Sequence, residues 1–146
     1  MRTITAKEID SFEKRYRTSL INSLSGIRTA FIGITSDDQG RYNAATLSNI
    51  THVGAHPAQM SILFRPDNGK RHTLTNYRNQ RRITLACMPL SKSATVHELS
   101  MNAPEGIFEL DIVGESYKEY QGWPHPLPTA FLYAIELEFI EEFTLN

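Results

Sequence analysis

The spacing of apolar positions is helical at the start of the chain. Apolar residues recur every three or four positions from Ile9 to Leu24. Thr5 and Glu8 precede them as a capping box, in which each side chain can accept a backbone N–H that the first helical turn leaves unpaired. Gly26 is placed to end the helix in a left-handed conformation. These positions predict one amphipathic helix.

Shorter segments with β-forming residues follow this helix. Residues 27–36 and 41–53 are separated by turn residues at 37–40, which predicts a hairpin. Gly54 to Pro57 interrupts the second run, and residues 60–64 are predicted to form a third strand. The remaining predictions are a short helix from Thr73, a buried strand over 82–88, a helix over 91–101, an ordered loop over 117–128 and a last strand over 130–143.

Together these elements predict the fold class. Several closely spaced strands, with two or three helices and no regular βαβ alternation, favour a mainly β fold: a small barrel with peripheral helices. The 146 residues fit a single domain spanning 1–146, and no repeat or linker interrupts them.

Composition narrows the choice of partners and compartment. Fifteen Lys and Arg against sixteen Asp and Glu give a net charge of -1, so no global field attracts nucleic acid or anionic lipid. No apolar run approaches the roughly 20 residues that span a bilayer, and residues 1–10 lack the pattern of a secretion signal. The single cysteine, Cys87, excludes an internal disulfide. We therefore expect a cytoplasmic protein without nucleic-acid or membrane partners.

Residues 65–73 combine cations with the start of a predicted helix. The N-terminus of a helix offers unpaired N–H groups, Arg71 can bind phosphate oxygens in a bidentate manner, and Thr73 can donate its hydroxyl. This pattern predicts a phosphate site. The alternative is a solvated basic turn in which Thr73 is an ordinary N-cap.

Residues 43–49 have small and polar side chains where a strand would usually carry β-branched ones. Small side chains let a flat heteroaromatic ring approach the backbone, and Thr46, Ser48 and Asn49 could supply N–H and hydroxyl groups in its plane. The alternative is an edge strand near a barrel rim.

No residue pattern indicates a metal site or a catalytic side chain. His52 and His56 are four residues apart at a strand end, where, unlike on a helix, their side chains would not converge on a metal. The acidic residues at 136–142 alternate with apolar ones, which is typical of the solvated face of a strand. We expect neither metal ligands nor catalytic residues.

Five fragments together resemble the flavin reductase-like family of FMN-binding split barrels. They lie in the expected order within a region that runs from about Ile9 to Phe139. The fragments are LINSLSG at 20–26, NAA at 43–45 leading to Ser48, HVG at 52–54 with Pro57, FRPD at 64–67, and RHT at 71–73 with Asn76.

The resemblance implies a six-stranded split β-barrel, usually a homodimer, with FMN between the barrel rim and the neighbouring subunit. The residues that would line the isoalloxazine ring are Ala45, Thr46, Leu47, Ser48 and Asn49. Those that would hold the ribityl phosphate are Arg65, Arg71, His72 and Thr73.

The resemblance also implies an activity, which is transfer of hydride from NAD(P)H to N5 of the flavin without an acid or base from the protein. Family members commonly continue beyond the last predicted strand, so the chain resembles a short member without that segment. Two alternatives follow from this difference: a non-enzymatic FMN-binding electron carrier or sensor, and a flavin-free dimeric interaction module.

Overall fold

A computed structural model describes residues 4–24, 26–65, 71–101, 103–104 and 106–144. The helices in these ranges are α1 (Ala6–Ser11), α2 (Lys14–Leu24), α3 (His72–Gln80), α4 (Ser93–Glu98) and α5 (Glu109–Ile112). The strands are β1 (Phe31–Ser36), β2 (Tyr42–Leu47), β3 (Ile50–Ala55), β4 (Ala58–Ile62), β5 (Arg82–Cys87), β6 (Tyr117–Lys118), β7 (Leu127–Pro128) and β8 (Tyr133–Glu138).

The N-terminal segment contains two helices, so the prediction of one helix was wrong. The capping box is confirmed, since the Glu8 N–H donates to Thr5 Oγ1 (3.3 Å) and the Thr5 N–H donates to Glu8 Oε2 (2.8 Å). Phe12 then adopts an extended conformation and ends α1. The Glu13 carboxylate accepts the N–H of Tyr16 (3.0 Å), which gives α2 a cap of its own.

Four antiparallel strands form the main sheet, in the order β2-β1-β5-β8. The predicted hairpin is confirmed as β1 and β2, with Gly33 opposite Ala45. A Cβ on Gly33 would lie 2.4 Å from Leu47 Cδ1, so a larger residue at this position would require the Leu47 side chain to move. The predicted run over 41–53 is in fact two strands, because the chain leaves the main sheet after Leu47 and continues as β3, which pairs with β4.

Side chains alternate across the main sheet and form two core clusters. Ile32 and Ile34 of β1 pack with Leu99 and Leu110, whereas Phe31 packs with the second cluster. The second cluster also contains Tyr77, Ile83, Leu85 and the buried, unpaired Cys87. The β5 strand in the centre therefore has the buried character that its sequence predicts.

The C-terminal third differs from the sequence prediction in its details. The helix predicted over 91–101 is a short 3-10 turn at Leu90–Lys92 followed by α4, and α5 was not predicted. The predicted loop over 117–128 contains β6 and β7, which pair with each other at its two ends. The last strand, β8, is shorter than its predicted range of 130–143.

The architecture is antiparallel sheets with peripheral helices, as the sequence predicts in outline. Within the described ranges, the three sheets do not join into one closed barrel. No helix among these residues is long and apolar enough to cross a membrane. In the same part of the chain, no three His, Cys, Asp or Glu side chains form a group that could hold a metal ion.

Candidate functional site

A pocket of about 590 Å³ opens beside β2, one of the two edge strands of the main sheet. It extends from the end of β2 past the residues after β4 to the start of α3, and the segment after α4 forms another wall. The pocket lining contains all nine predicted site residues, namely Ala45, Thr46, Leu47, Ser48, Asn49, Arg65, Arg71, His72 and Thr73. The small-residue strand and the basic loop thus meet in one pocket.

The β2 strand presents a polar backbone edge to this pocket. The Ala44 N–H points away from β1 and donates to Glu109 Oε2 (2.6 Å). Because hydrogen-bonding directions alternate along a strand, the backbone N–H and C=O of Thr46 point outward as well. The Thr46 hydroxyl donates to the carbonyl of Val96. At this position the backbone therefore faces the pocket with one donor and one acceptor, while the hydroxyl proton is directed to a neighbouring segment.

Basic side chains lie at the other end of the pocket. Arg65 follows β4, and Arg71 occupies the N-cap position of α3, where its own side chain makes no capping hydrogen bond. His72 is the first residue of α3. The partial positive charge at the N-terminus of this helix and the two guanidinium groups make this end attractive to an anion.

The structure contradicts the N-cap alternative for Thr73. Thr73 is not the N-cap, since that position belongs to Arg71. Thr73 Oγ1 instead donates to Asn43 Oδ1 (2.7 Å). The Thr73 side chain is buried, and its hydroxyl group donates to another side chain of the protein.

Glu109 is a functional candidate that the sequence did not reveal. It is 5% exposed, lines the pocket and accepts two hydrogen bonds, one from Asn43 Nδ2 and one from the Ala44 N–H. Burial raises the pKa of Glu109, and these two hydrogen bonds and nearby His72 partly oppose that rise. Since α5 is a four-residue helix without a capping signal, no local pattern marks this carboxylate.

The wall after α4 is anchored at two points. Lys92 Nζ donates to Glu115 Oε2 (2.7 Å), and the buried Glu115 follows α5. Val96 accepts the hydroxyl of Thr46. Leu99 and Met101 then line the pocket, the first buried and the second 41% exposed. This wall adds apolar surface to the pocket.

Several solved structures have a fold similar to that of this chain. A candidate flavin reductase with a split-barrel domain from Shewanella frigidimarina NCIMB 400 is 26% identical, with a TM-score of 0.91 over 99% of this chain and 72% of that chain. An FMN-binding protein from Thermus thermophilus with bound p-hydroxybenzaldehyde is 19% identical, with a TM-score of 0.71 over 99% and 73% of the two chains. The NADH:FAD oxidoreductase of Streptomyces globisporus C-1027 is 10% identical, with a TM-score of 0.71 over 90% and 75%.

The sequence matches no protein-family model and no curated protein. At 10% and 19% identity, the similarity to the Streptomyces and Thermus proteins concerns the fold alone. The similarity to the Shewanella protein extends to sequence and covers nearly the whole of this chain.

Proposed function

We propose that this chain, a flavin reductase-like split-barrel protein, binds FMN in the pocket beside β2 and reduces it with NAD(P)H. The observation that carries the proposal is the meeting of two different surfaces in one pocket. One is a strand edge with small side chains, and the other is a helix start with Arg65 and Arg71 beside it. FMN matches both surfaces, because its planar ring suits the strand edge and the phosphate on its flexible chain suits the basic helix start.

The pocket residues offer the hydrogen-bonding groups and positive charges that FMN requires. Ala45, Leu47 and the outward backbone of Thr46 would lie along the ring, whose edge carries both donors and acceptors. Arg65, Arg71 and His72 would hold the phosphate. The chemistry that bound FMN supplies is acceptance of hydride at N5. The protein would contribute position, exclusion of water by Leu99 and Met101, and positive charge.

A homodimer belongs to the same proposal. Several large apolar side chains are exposed near the pocket entrance and on α2, including Leu24 at 69% and Leu63 at 53%. Apolar surface of this kind is suited to a partner subunit. Light scattering at micromolar concentration should give twice the mass of the chain, and a monomer would contradict this part of the proposal.

Titration with FMN tests the pocket directly. We expect saturable quenching of flavin fluorescence by the wild-type protein. Arg71→Ala should weaken FMN binding about ten-fold to a hundred-fold, since charge-assisted hydrogen bonds to phosphate are among the strong ones. Riboflavin, which has no phosphate, should lose little affinity in the same variant.

Arg78→Ala is the matched control, because it removes an arginine from the other end of the same helix. Arg78 pairs with Glu142 at the surface and does not line the pocket. FMN binding by Arg78→Ala should stay within about two-fold of wild type, as exposed ion pairs contribute little. Equal losses in both arginine variants would mean that the phosphate is bound elsewhere.

Oxidation of NADH and NADPH tests the activity separately. With FMN present, the protein should oxidise at least one of them faster than free flavin does. Tight FMN binding without turnover would make the chain an electron carrier or sensor. Absence of flavin binding would remove the proposed function and leave an interaction module.

A further inference from the structure

Three side chains form a continuous hydrogen-bonded chain at the pocket, which we call the Glu109 chain. Asn43 Nδ2 donates to Glu109 Oε1, and Thr73 Oγ1 donates to Asn43 Oδ1 (2.7 Å). The other carboxylate oxygen, Oε2, accepts the Ala44 N–H (2.6 Å). The Glu109 chain therefore connects α5, the edge of β2 and the first turn of α3, the elements that make the two ends of the pocket.

The direction of every bond in this chain follows from the carboxylate. An ionised carboxylate can only accept, so Asn43 must turn its NH2 group toward Glu109 and its oxygen toward Thr73. Thr73 must then donate to Asn43. As a result, the hydroxyl proton of Thr73 is not directed to an anion bound beside His72, although Thr73 lies in the same helical turn.

We propose that Glu109 is a positioning residue that keeps the Thr73 hydroxyl turned away from the phosphate and so weakens the binding of phosphate-bearing flavins. The inference rests on the proposed function, since it assigns the basic end of the pocket to phosphate. The negative charge of Glu109 would also repel a phosphate and so weaken its binding. The charged group that acts on Glu109 is His72, the first residue of α3.

Glu109→Gln tests this role because glutamine has the same shape and no charge. Its amide oxygen must accept the Ala44 N–H, since its NH2 group there would face another donor. That NH2 group then donates to Asn43, which has to turn over and donate to Thr73. The Thr73 oxygen now accepts, and its proton becomes available to the phosphate.

The expected result is a selective gain in affinity. Glu109→Gln should bind FMN about ten-fold more tightly than wild type, while its riboflavin affinity stays within about two-fold. In the Glu109→Gln background, Thr73→Val should abolish the gain because no hydroxyl remains to donate. Equal changes for FMN and riboflavin, or weaker FMN binding by Glu109→Gln, would overturn the inference.

A second measurement needs neither a variant nor a flavin. In the wild-type protein, the Asn43 side-chain NH2 protons should show stronger nuclear Overhauser effects to the Glu109 methylene protons than to the Thr73 methyl group. The opposite order would overturn the inference whatever Glu109→Gln does. Failure of wild-type protein to bind FMN would instead remove the proposed function, so the two failures are distinguishable.

Discussion

Two buried titratable side chains lie near the same tyrosine and have different surroundings. The Tyr42 ring packs against Phe108, the neighbour of Glu109, at 5.6 Å between centroids and against His125 at 6.4 Å. Glu109 and His125 are 5% and 3% exposed. Glu109 has two hydrogen-bond partners on β2 and lines the pocket. His125 shares one hydrogen bond with Thr84, 2.9 Å from its Nδ1, and does not line the pocket.

The comparison of Glu109 with His125 indicates which buried polar groups contribute to a binding site. A buried polar group has to be hydrogen-bonded wherever it lies, so burial and a partner alone do not indicate function. The distinguishing feature of Glu109 is that its hydrogen bonds fix groups facing the pocket. The bond between His125 and Thr84 instead joins the segment before β7 to the central strand β5. We therefore expect the flavin site to depend on Glu109 and stability alone to depend on His125.

The largest effect should come from Glu109→Ala. This change leaves the Asn43 NH2 group and the Ala44 N–H buried without an acceptor, which should lower the free energy of unfolding by about 4 kcal/mol. FMN binding should also be lost, because the edge of β2 is no longer fixed relative to α3. Urea unfolding and FMN titration measure the two effects. Glu109→Gln, which keeps both contacts, should lose less than about 1 kcal/mol.

Protonation of His125 should give the next largest effect. Burial, with a smaller contribution from Arg82, lowers the pKa of His125 from 6.5 to about 4. The unfolded chain therefore binds a proton at His125 more tightly than the folded protein does. The stability that depends on a neutral His125 is complete above pH 6.5 and is lost as the pH falls toward 4. The free energy of unfolding should drop by about 3 kcal/mol between pH 7 and pH 4 from this group.

His125→Asn is the control for that pH dependence. An asparagine oxygen or nitrogen can occupy roughly the position of Nδ1 and keep the contact with Thr84. Urea unfolding curves of this variant should change much less than those of wild type between pH 6.5 and 4.5. An unchanged pH dependence would assign the acid sensitivity to other groups, and altered FMN affinity would contradict the separation of the two regions.

Local sequence patterns were enough to identify the segments that form the pocket. The small residues of 43–49 and the cations of 65–73 were each recognisable in a short segment, and the structure brings their described members into one pocket. Residues 66–70 lie outside the described ranges. The resemblance to flavin reductase-like split barrels is confirmed by the structural comparison.

What could not be predicted depends on contacts between distant segments. Asn43 and Glu109 are 66 positions apart, and nothing in either segment indicates that they meet. The direction of the Thr73 hydroxyl follows from that contact, so residues 71–73 alone could not reveal it. The break between α1 and α2 was missed because it arises when the Glu13 side chain, at an otherwise helical position, caps a new helix.

The smallest effect should come from Thr84→Val, which replaces a buried hydroxyl with a methyl group of similar size. His125 loses its hydrogen-bond partner, which should lower the free energy of unfolding by about 1 to 2 kcal/mol in urea. FMN and riboflavin affinities should stay within about two-fold of wild type, since Thr84 lies on β5 and does not line the pocket. Thr73→Val in the Glu109→Gln background makes the same chemical change and should lower the affinity for FMN only. If Thr84→Val altered FMN binding as strongly, the two buried groups would act as one network, and the distinction between Glu109 and His125 would fail.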